Sequence, residues 1–123
     1  MKWVIILSAL VALAAAEEEK YTTEQDDFDI EALRADPEEL KIMLECFTGK
    51  GPCRENGAHF KKDLAEAIVE ACAKCTDAQK HILKGFLEAI KAKEFMYGYR
   101  DFKDKYDPEN KYLAALEAAV AKY

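Results

Sequence analysis

Four cysteines between Cys46 and Cys75 constrain this chain more than any other feature of its sequence. Their spacing is C-x6-C-x18-C-x2-C. The first pair encloses a Gly-Lys-Gly-Pro run typical of a turn, and the second pair lies one helical turn apart. Of the three possible pairings, the local one joins Cys46 to Cys53 and Cys72 to Cys75. It is favoured because each pair can reach disulfide distance without help from distant parts of the fold.

Two other uses of the cysteines remain open from spacing alone. Zinc sites usually take their ligands from paired short spacings, and the six-residue gap between Cys46 and Cys53 fits that pattern poorly. The Cys72-Ala73-Lys74-Cys75 segment is also compatible with a redox motif, although such motifs usually lie on a βαβ unit. The cellular compartment decides between these uses, because disulfides persist in oxidising surroundings.

Residues 1–16 have the pattern of a secretory signal peptide. The segment MKWVIILSALVALAAA has one basic residue, an apolar run and three small residues before Glu17. It is too short to span a bilayer. We therefore predict cleavage after Ala16, which leaves residues 17–123 as a single domain, secreted and extracellular, with structural disulfides.

The charge balance excludes several classes of partner. The chain carries 24 acidic and 18 basic residues, for a formal net charge of −6. Nucleic-acid binding requires basic clusters, and anionic lipid likewise attracts basic segments. After residue 16 no apolar run reaches the length needed to cross a membrane. We therefore expect no nucleic-acid partner and no stable membrane insertion, and net negative charge favours a soluble monomer.

Apolar residues after residue 27 recur at helical spacing, and no alternating strand pattern of useful length occurs. The third helix is predicted to extend its apolar face from Phe60 to Cys75. The prediction is an all-α fold, a compact single domain of five or six amphipathic helices. Four helix starts are marked by capping residues: Asp29, Asp36-Pro37, Thr76 with Gln79, and Asp107-Pro108.

No catalytic motif is recognisable in the sequence. His59 and His81 are the only histidines, and neither lies in a nucleophile or zinc motif. Both are interpreted as surface or capping residues. No Gly-rich phosphate loop and no Gly-x-Ser-x-Gly motif occur. We expect a protein that is not an enzyme and that uses no metal or other cofactor.

Methionine and aromatic side chains are frequent on the predicted apolar faces, and they allow two interpretations. On composition alone, an ordinary filled core is favoured. The alternative is the lining of a cavity, since methionine and aromatic side chains form adaptable apolar walls.

Motifs spread along the chain favour the cavity. They are the cysteine spacing itself, Tyr21-Thr22-Thr23, Cys72-Ala73-Lys74-Cys75 followed by Gln79-Lys80, and Lys105-Tyr106-Asp107-Pro108. Together they resemble the insect chemosensory protein family, also called the olfactory segment D family. The resemblance implies a secreted protein of six helices with two local disulfides and an internal apolar channel. It also implies an odorant or pheromone carrier that binds small hydrophobic molecules: semiochemicals, long-chain alcohols, esters or fatty acids.

Two positions depart from the pattern of that family. Tyr99 stands where many members carry tryptophan, and Met43 stands where members often carry tyrosine. Both changes alter the shape and polarity of a pocket, so the range of ligands does not transfer from relatives.

The predicted cavity wall combines the apolar stripes of three helices with the aromatic segment near residue 100. Tyr112 is added because the family usually keeps an aromatic residue near the ligand there. With no cation on these faces, alcohols, esters and acids of matched length should bind within about tenfold of each other. The alternative function is a secreted interaction or developmental protein with a filled core. The candidate ligand-contacting residues are Met43, Phe60, Leu64, Ile68, Phe86, Ile90, Tyr99, Phe102, Tyr106 and Tyr112.

Overall fold

The computed structural model describes residues 20–123, and the predicted signal peptide at residues 1–16 lies outside them. No strand occurs in this described part of the chain. The predicted all-α fold of five or six helices is confirmed. The described helices are α1 (Ile30–Arg34), α2 (Pro37–Thr48), α3 (Glu55–Val69), α4 (Asp77–Ile90), α5 (Met96–Tyr106) and α6 (Leu113–Val120), with a 3₁₀ turn at Lys93–Phe95.

Side-chain caps begin the first, second and fourth helices as the sequence predicts. Asp29 and Asp36 each accept a hydrogen bond from the backbone N–H three residues later, at 3.0 and 3.2 Å. At α4 the capping box is complete. The Thr76 hydroxyl accepts from the Gln79 N–H at 3.1 Å, and the Gln79 side-chain oxygen accepts from the Thr76 N–H at 3.0 Å. These local hydrogen bonds satisfy N–H groups that a helix start leaves without intrahelical partners.

The third helix ends earlier than predicted. It stops at Val69, before the two cysteines of the second pair, because Ala71 and Cys72 adopt the left-handed conformation with φ of 53° and 63°. The Cys72 N–H turns back to the Ala67 carbonyl at 2.8 Å, which is the hydrogen bond of a Schellman motif. Cys72 and Cys75 therefore lie in the turn after the helix and not on its face.

Ala71 occupies the position of this motif where glycine is usual, and this placement leads to a stability prediction. Ala71→Gly should raise the free energy of unfolding by about 1 kcal/mol, since the left-handed conformation costs an L-residue about 1–2 kcal/mol. Ala65→Gly, at an exposed position inside α3, is the matched control and should lower it by about 1 kcal/mol. Urea unfolding measures both variants. A loss of stability in Ala71→Gly would contradict the role given to this backbone conformation.

The last helix also differs from its prediction, which placed the helix start at Asp107-Pro108. Helix α6 begins at Leu113, and the preceding residues form a loop folded around a buried carboxylate. That carboxylate, Asp107, is fully buried and accepts hydrogen bonds from the N–H groups of Lys111, Tyr112 and Leu113 at 2.6, 3.0 and 3.0 Å. Asp107 therefore caps α6 across a loop.

The environment of Asp107 sets the pH dependence of this capped loop. Burial by itself raises the pKa of the carboxyl, but the three N–H donors, together with the charge of Lys103, outweigh burial and hold that pKa below its usual range. A pKa lower in the folded state than in the unfolded state means that the carboxylate stabilises the fold above about pH 4. This stabilisation is lost as the pH falls through the folded-state pKa.

Asp107→Asn should therefore lower the melting temperature at neutral pH and reduce the loss of stability on acidification. The amide keeps the shape of the carboxylate but lacks the charge that the N–H groups stabilise. Asp104→Asn, an exposed change on α5, is the control and should leave both properties near wild type. Melting curves between neutral and acidic pH make the comparison. Equal acid dependence in the wild type and Asp107→Asn would contradict the assignment.

Both local disulfides are formed as predicted. Cys46 is bonded to Cys53 and ties the end of α2 to the loop before α3. Cys72 is bonded to Cys75 and closes the turn between α3 and α4. No cysteine is free, so these sulfur atoms are not available to a zinc ion.

The helices pack around a core in which α2 contacts α3 and α5, and α1 lies against α4. The α1–α4 contact is close because α4 carries Gly85 at this point. A Cβ atom on Gly85 would lie 2.7 Å from Cγ1 of Ile30. Within residues 20–123, no helix combines the length and hydrophobicity needed to cross a membrane.

Candidate functional site

A mostly apolar cavity of about 70 Å³ lies between α1, α2, α3, α4 and the segment that precedes α1. We call it the inner cavity. Aliphatic and aromatic side chains form most of its wall, among them Leu83 and Phe86 of α4. The polar side chains that border it are Tyr21, His59, Asp63 and Gln79. The cavity can therefore shelter an apolar group and offers polar contacts at a few defined points.

Two pairs of aromatic rings hold the wall of the inner cavity in place. The rings of Phe28 and Phe60 lie 5.4 Å apart between centroids, at an interplanar angle of 81°. Those of Phe47 and Phe86 lie 5.2 Å apart at 71°. Both are edge-to-face arrangements, which are favoured by the charge distribution of aromatic rings. They connect the segment before α1 to α3, and α2 to α4.

A second cavity of about 320 Å³ lies beside the first, and we call it the outer groove. Phe28, Leu33 and Met43 border both cavities and form the partition between them. Met43 is unbranched and has three rotatable bonds, so its side chain can adopt alternative shapes. The partition is therefore a place where the two cavities can become continuous through side-chain rotation.

The segment before α1 borders the inner cavity, and the hydrogen bonds of Tyr21 and Thr22 are among those that anchor it. The Tyr21 N–H donates to the Lys74 carbonyl at 2.9 Å, and the Tyr21 hydroxyl donates to Oε1 of Glu66 at 2.8 Å. The Gln79 side chain donates to the Thr22 carbonyl at 2.7 Å. These contacts tie the segment to α3, to the turn after it and to α4, so the segment forms part of the cavity wall.

The surroundings of Tyr21 are negatively charged. Burial, the hydrogen bond to Glu66 and the charges of Glu66, Asp63 and Glu70 together raise the pKa of the Tyr21 phenol far above its usual range. The phenol therefore stays neutral and remains a hydrogen-bond donor. The same three carboxylates act on the side of the inner cavity that Tyr21 borders.

The structure brings together some of the sequence-predicted residues and separates others from the cavity. Those that line the inner cavity are Met43, Phe60, Leu64 and Phe86. Three others lie in the buried core and border neither cavity: Ile68, Ile90 and Phe102. The remaining three pack against the core from partly exposed positions, again without lining either cavity: Tyr99, Tyr106 and Tyr112. Ligand contact stays a prediction for all ten residues, including the four that line the inner cavity.

Tyr106 instead has a contact of its own within the core. Its hydroxyl donates to the Phe47 carbonyl at 2.6 Å, and burial raises the pKa of the phenol. This hydrogen bond joins α5 to α2 behind the cavity wall that Phe47 provides. Tyr106 can therefore influence the cavity through the position of Phe47.

Sequence reasoning missed several lining residues, and His59 is the clearest example. Its side chain is only 16% exposed, borders the inner cavity and lies 3.8 Å from the carboxylate of Glu24. The interpretation of His59 as a surface or capping residue was wrong. His59 and Asp63 are one turn apart beside the stripe of Phe60 and Leu64, and that spacing was the available signal. His81 is exposed, as expected, with Nδ1 2.8 Å from the Tyr123 carbonyl oxygen.

A metal site does not arise from the arrangement of side chains in residues 20–123. No cluster of three or more histidine, cysteine, aspartate or glutamate residues there could hold an ion. The inner cavity itself offers an apolar wall with hydrogen-bonding groups at its edge.

Comparison with known proteins shows the family to which the chain belongs. Residues 21–114 match the family described as the insect pheromone-binding family, A10/OS-D. The matched part is well over half of the chain. The chain belongs to the A10/OS-D family.

Two similar proteins match this chain along most of their own length. Ejaculatory bulb-specific protein 3 of Drosophila melanogaster is 27% identical over 123 residues, which cover 98% of this chain and 94% of that protein. Allergen Tha p 1 of Thaumetopoea pityocampa is 29% identical over 109 residues, covering 89% and 86%. A solved chemosensory protein in complex with bromo-dodecanol superposes with a TM-score of 0.71 at 27% identity, covering 80% of this chain and 98% of that one.

Proposed function

We propose that this protein is a secreted carrier of small hydrophobic molecules, of the long-chain alcohol, ester or acid type found among semiochemicals. The observation that carries the proposal is the apolar inner cavity, bordered by Phe60, Leu64 and Phe86. The related chemosensory protein in complex with bromo-dodecanol supports it, because that protein shares the fold. The carrier acts outside the cell after loss of residues 1–16, and it performs no chemical step on its ligand.

The size of the cavity indicates how such a ligand is held. The inner cavity, at about 70 Å³, is much smaller than the roughly 300–1,000 Å³ of common ligand sites. The adjoining outer groove supplies about 320 Å³ more. We therefore propose that a long ligand displaces Met43 and its neighbours in the partition and occupies both spaces.

The apolar surface of the ligand provides the affinity. Each methylene removed from water contributes about 0.8 kcal/mol. An alkyl chain of about ten to sixteen carbons can thus reach micromolar binding after the costs of association are subtracted. Because this term depends on chain length, a shorter alcohol should bind much more weakly than a long one.

Displacement of a hydrophobic fluorescent probe, phenylnaphthylamine, tests the proposal on protein expressed with its native N-terminus and secreted. Dodecanol should displace the probe with saturation at micromolar concentrations, and octanol should require at least about tenfold more because it buries four fewer methylenes. The secreted protein should begin at Glu17 by mass spectrometry. A core without ligand capacity, as in the alternative of a secreted interaction protein, would give no saturable probe binding and would contradict the proposal.

A further inference from the structure

We propose that the cavity selects ligands by their polar end, accepting a hydroxyl, ester or ammonium group and disfavouring a carboxylate. The inference rests on the proposed carrier function and specifies its ligand class. It departs from the sequence-based expectation that alcohols, esters and acids bind within about tenfold of each other. The reason is the sign of the charges at the edges of both cavities.

Among residues 20–123, a single formally charged group borders the inner cavity, and that group is negative. Asp63 is half-buried and lines the cavity, whereas no lysine or arginine of the described chain does so. His59, the neighbour of Asp63 on the lining, lies 3.8 Å from the carboxylate of Glu24. The lining therefore offers a ligand carboxylate no permanent cation with which to pair.

Carboxylates behind the lining also disfavour a ligand carboxylate. Glu66 accepts the hydrogen bond of the Tyr21 hydroxyl at 2.8 Å, and Lys74 lies 3.5 Å from the other oxygen of Glu66. Burial is the largest cause of the raised pKa of Tyr21, and the hydrogen bond to Glu66 and the negative charges of Glu66, Asp63 and Glu70 add to it. A second negative charge brought to this wall would be repelled and would lose its hydration.

The outer groove gives a carboxylate no better position. Its charged lining consists of Asp29, Asp36, Glu39 and Arg54. Arg54 is the cation among them, and it already pairs with Glu39 at 2.9 Å. A carboxylate that entered from this side would have to compete with Glu39 while facing two further acidic groups. Reversing the direction of the ligand therefore does not remove the repulsion.

A hydroxyl or ammonium end fits the same groups. Both can donate a hydrogen bond to the carboxylate of Asp63, and hydrogen bonds to charged acceptors are stronger than those between neutral groups. An ester carries no charge, so its affinity comes from burial of the alkyl chain. Head-group charge is thus the property that separates ligands of equal length.

Four probes, each with a chain of twelve carbons attached to its polar end or including it, test the inference: dodecanol, dodecylamine, dodecanoate and its methyl ester, methyl dodecanoate. Their binding is measured by displacement of phenylnaphthylamine at about pH 7.5, where a carboxyl group is ionised and an alkyl amine is protonated. All concentrations stay below those at which the probes form micelles. We expect dodecanoate to bind at least about tenfold more weakly than the other three.

Asp63→Asn tests the residue responsible, with Asp104→Asn as a matched change on α5 away from both cavities. The first variant should narrow the gap in affinity between dodecanoate and methyl dodecanoate several-fold, while Asp104→Asn should preserve the wild-type order and the wild-type gap. Melting curves establish that both variants fold. If the wild type binds dodecanoate as tightly as the other three probes, or more tightly, the inference is overturned but the carrier function is not. The same holds if Asp63→Asn leaves the difference in affinity between dodecanoate and methyl dodecanoate unchanged. Failure of all four probes to bind would overturn the carrier function itself.

Discussion

Leu64→Trp is expected to weaken dodecanol binding at least tenfold, while changing the free energy of unfolding by less than about 1 kcal/mol. Leu64 is 5% exposed and borders the inner cavity on α3. The larger indole group can enter the space that the ligand would use. It therefore reduces the cavity volume open to the ligand without forcing apart the packed core. Probe displacement measures the affinity, and urea unfolding of the ligand-free variant measures the stability.

Ile68→Trp provides the control for this experiment. Ile68 follows Leu64 by one turn on the same face of α3 but is 1% exposed and borders neither cavity. The indole group has no space there, and overpacking should lower the free energy of unfolding by about 1–3 kcal/mol while dodecanol still binds to the folded fraction. If Leu64→Trp loses as much stability as Ile68→Trp, the inner cavity is filled in solution and the carrier function is contradicted.

The contrast between Leu64 and Ile68 shows what periodicity can and cannot predict. Helical spacing places both residues on one apolar stripe, and the structure buries both as expected. On this stripe, Leu64 borders the inner cavity whereas Ile68 is packed in the core, because the elements that face α3 differ along its length. Periodicity gives the face that is buried, but the neighbour it meets depends on tertiary packing.

Helix starts were more predictable than helix ends, and the reason is the range of the interactions. Thr76 and Gln79 form their capping box within four residues, so the sequence contains the whole interaction. The end of α3 depends on the left-handed conformation of Ala71 and Cys72, which neither residue type favours by itself. The Asp107-Pro108 motif similarly suggested a local cap, whereas the carboxylate is buried and binds N–H groups across a loop.

The segment before α1 was the largest omission from the predicted site. Tyr21 anchors this segment to α3 through its hydroxyl, and residues 24–27 form a turn. The segment also places Phe28 against Phe60, where its ring borders both cavities. This contact joins residues far apart in the sequence, and no local pattern contains it. Cavity walls formed by such contacts require the structure.

Gly85→Ala is expected to destabilise the protein and also to weaken dodecanol binding about tenfold. A Cβ atom there would lie 2.7 Å from Cγ1 of Ile30, a β-branched residue whose side chain is stiff at χ1. Helix α1 must therefore shift, at a cost of about 1–3 kcal/mol, which exceeds the roughly 1 kcal/mol that alanine gains over glycine in a helix. Since Ile30 borders the inner cavity, the shift moves a wall of the binding site.

Gly98→Ala separates the effect on the wall from a general effect on packing. A Cβ atom on Gly98 of α5 would meet Cδ2 of Leu44, which is buried but borders neither cavity. The end of a leucine side chain can move aside more easily than Cγ1 of isoleucine, so the loss of stability should be smaller and dodecanol affinity should stay near wild type. Urea unfolding and probe displacement measure both variants. If dodecanol binding is weakened equally in the two variants, affinity follows overall stability and the prediction is wrong. If it is weakened in Gly85→Ala alone, α1 forms a wall of the occupied site.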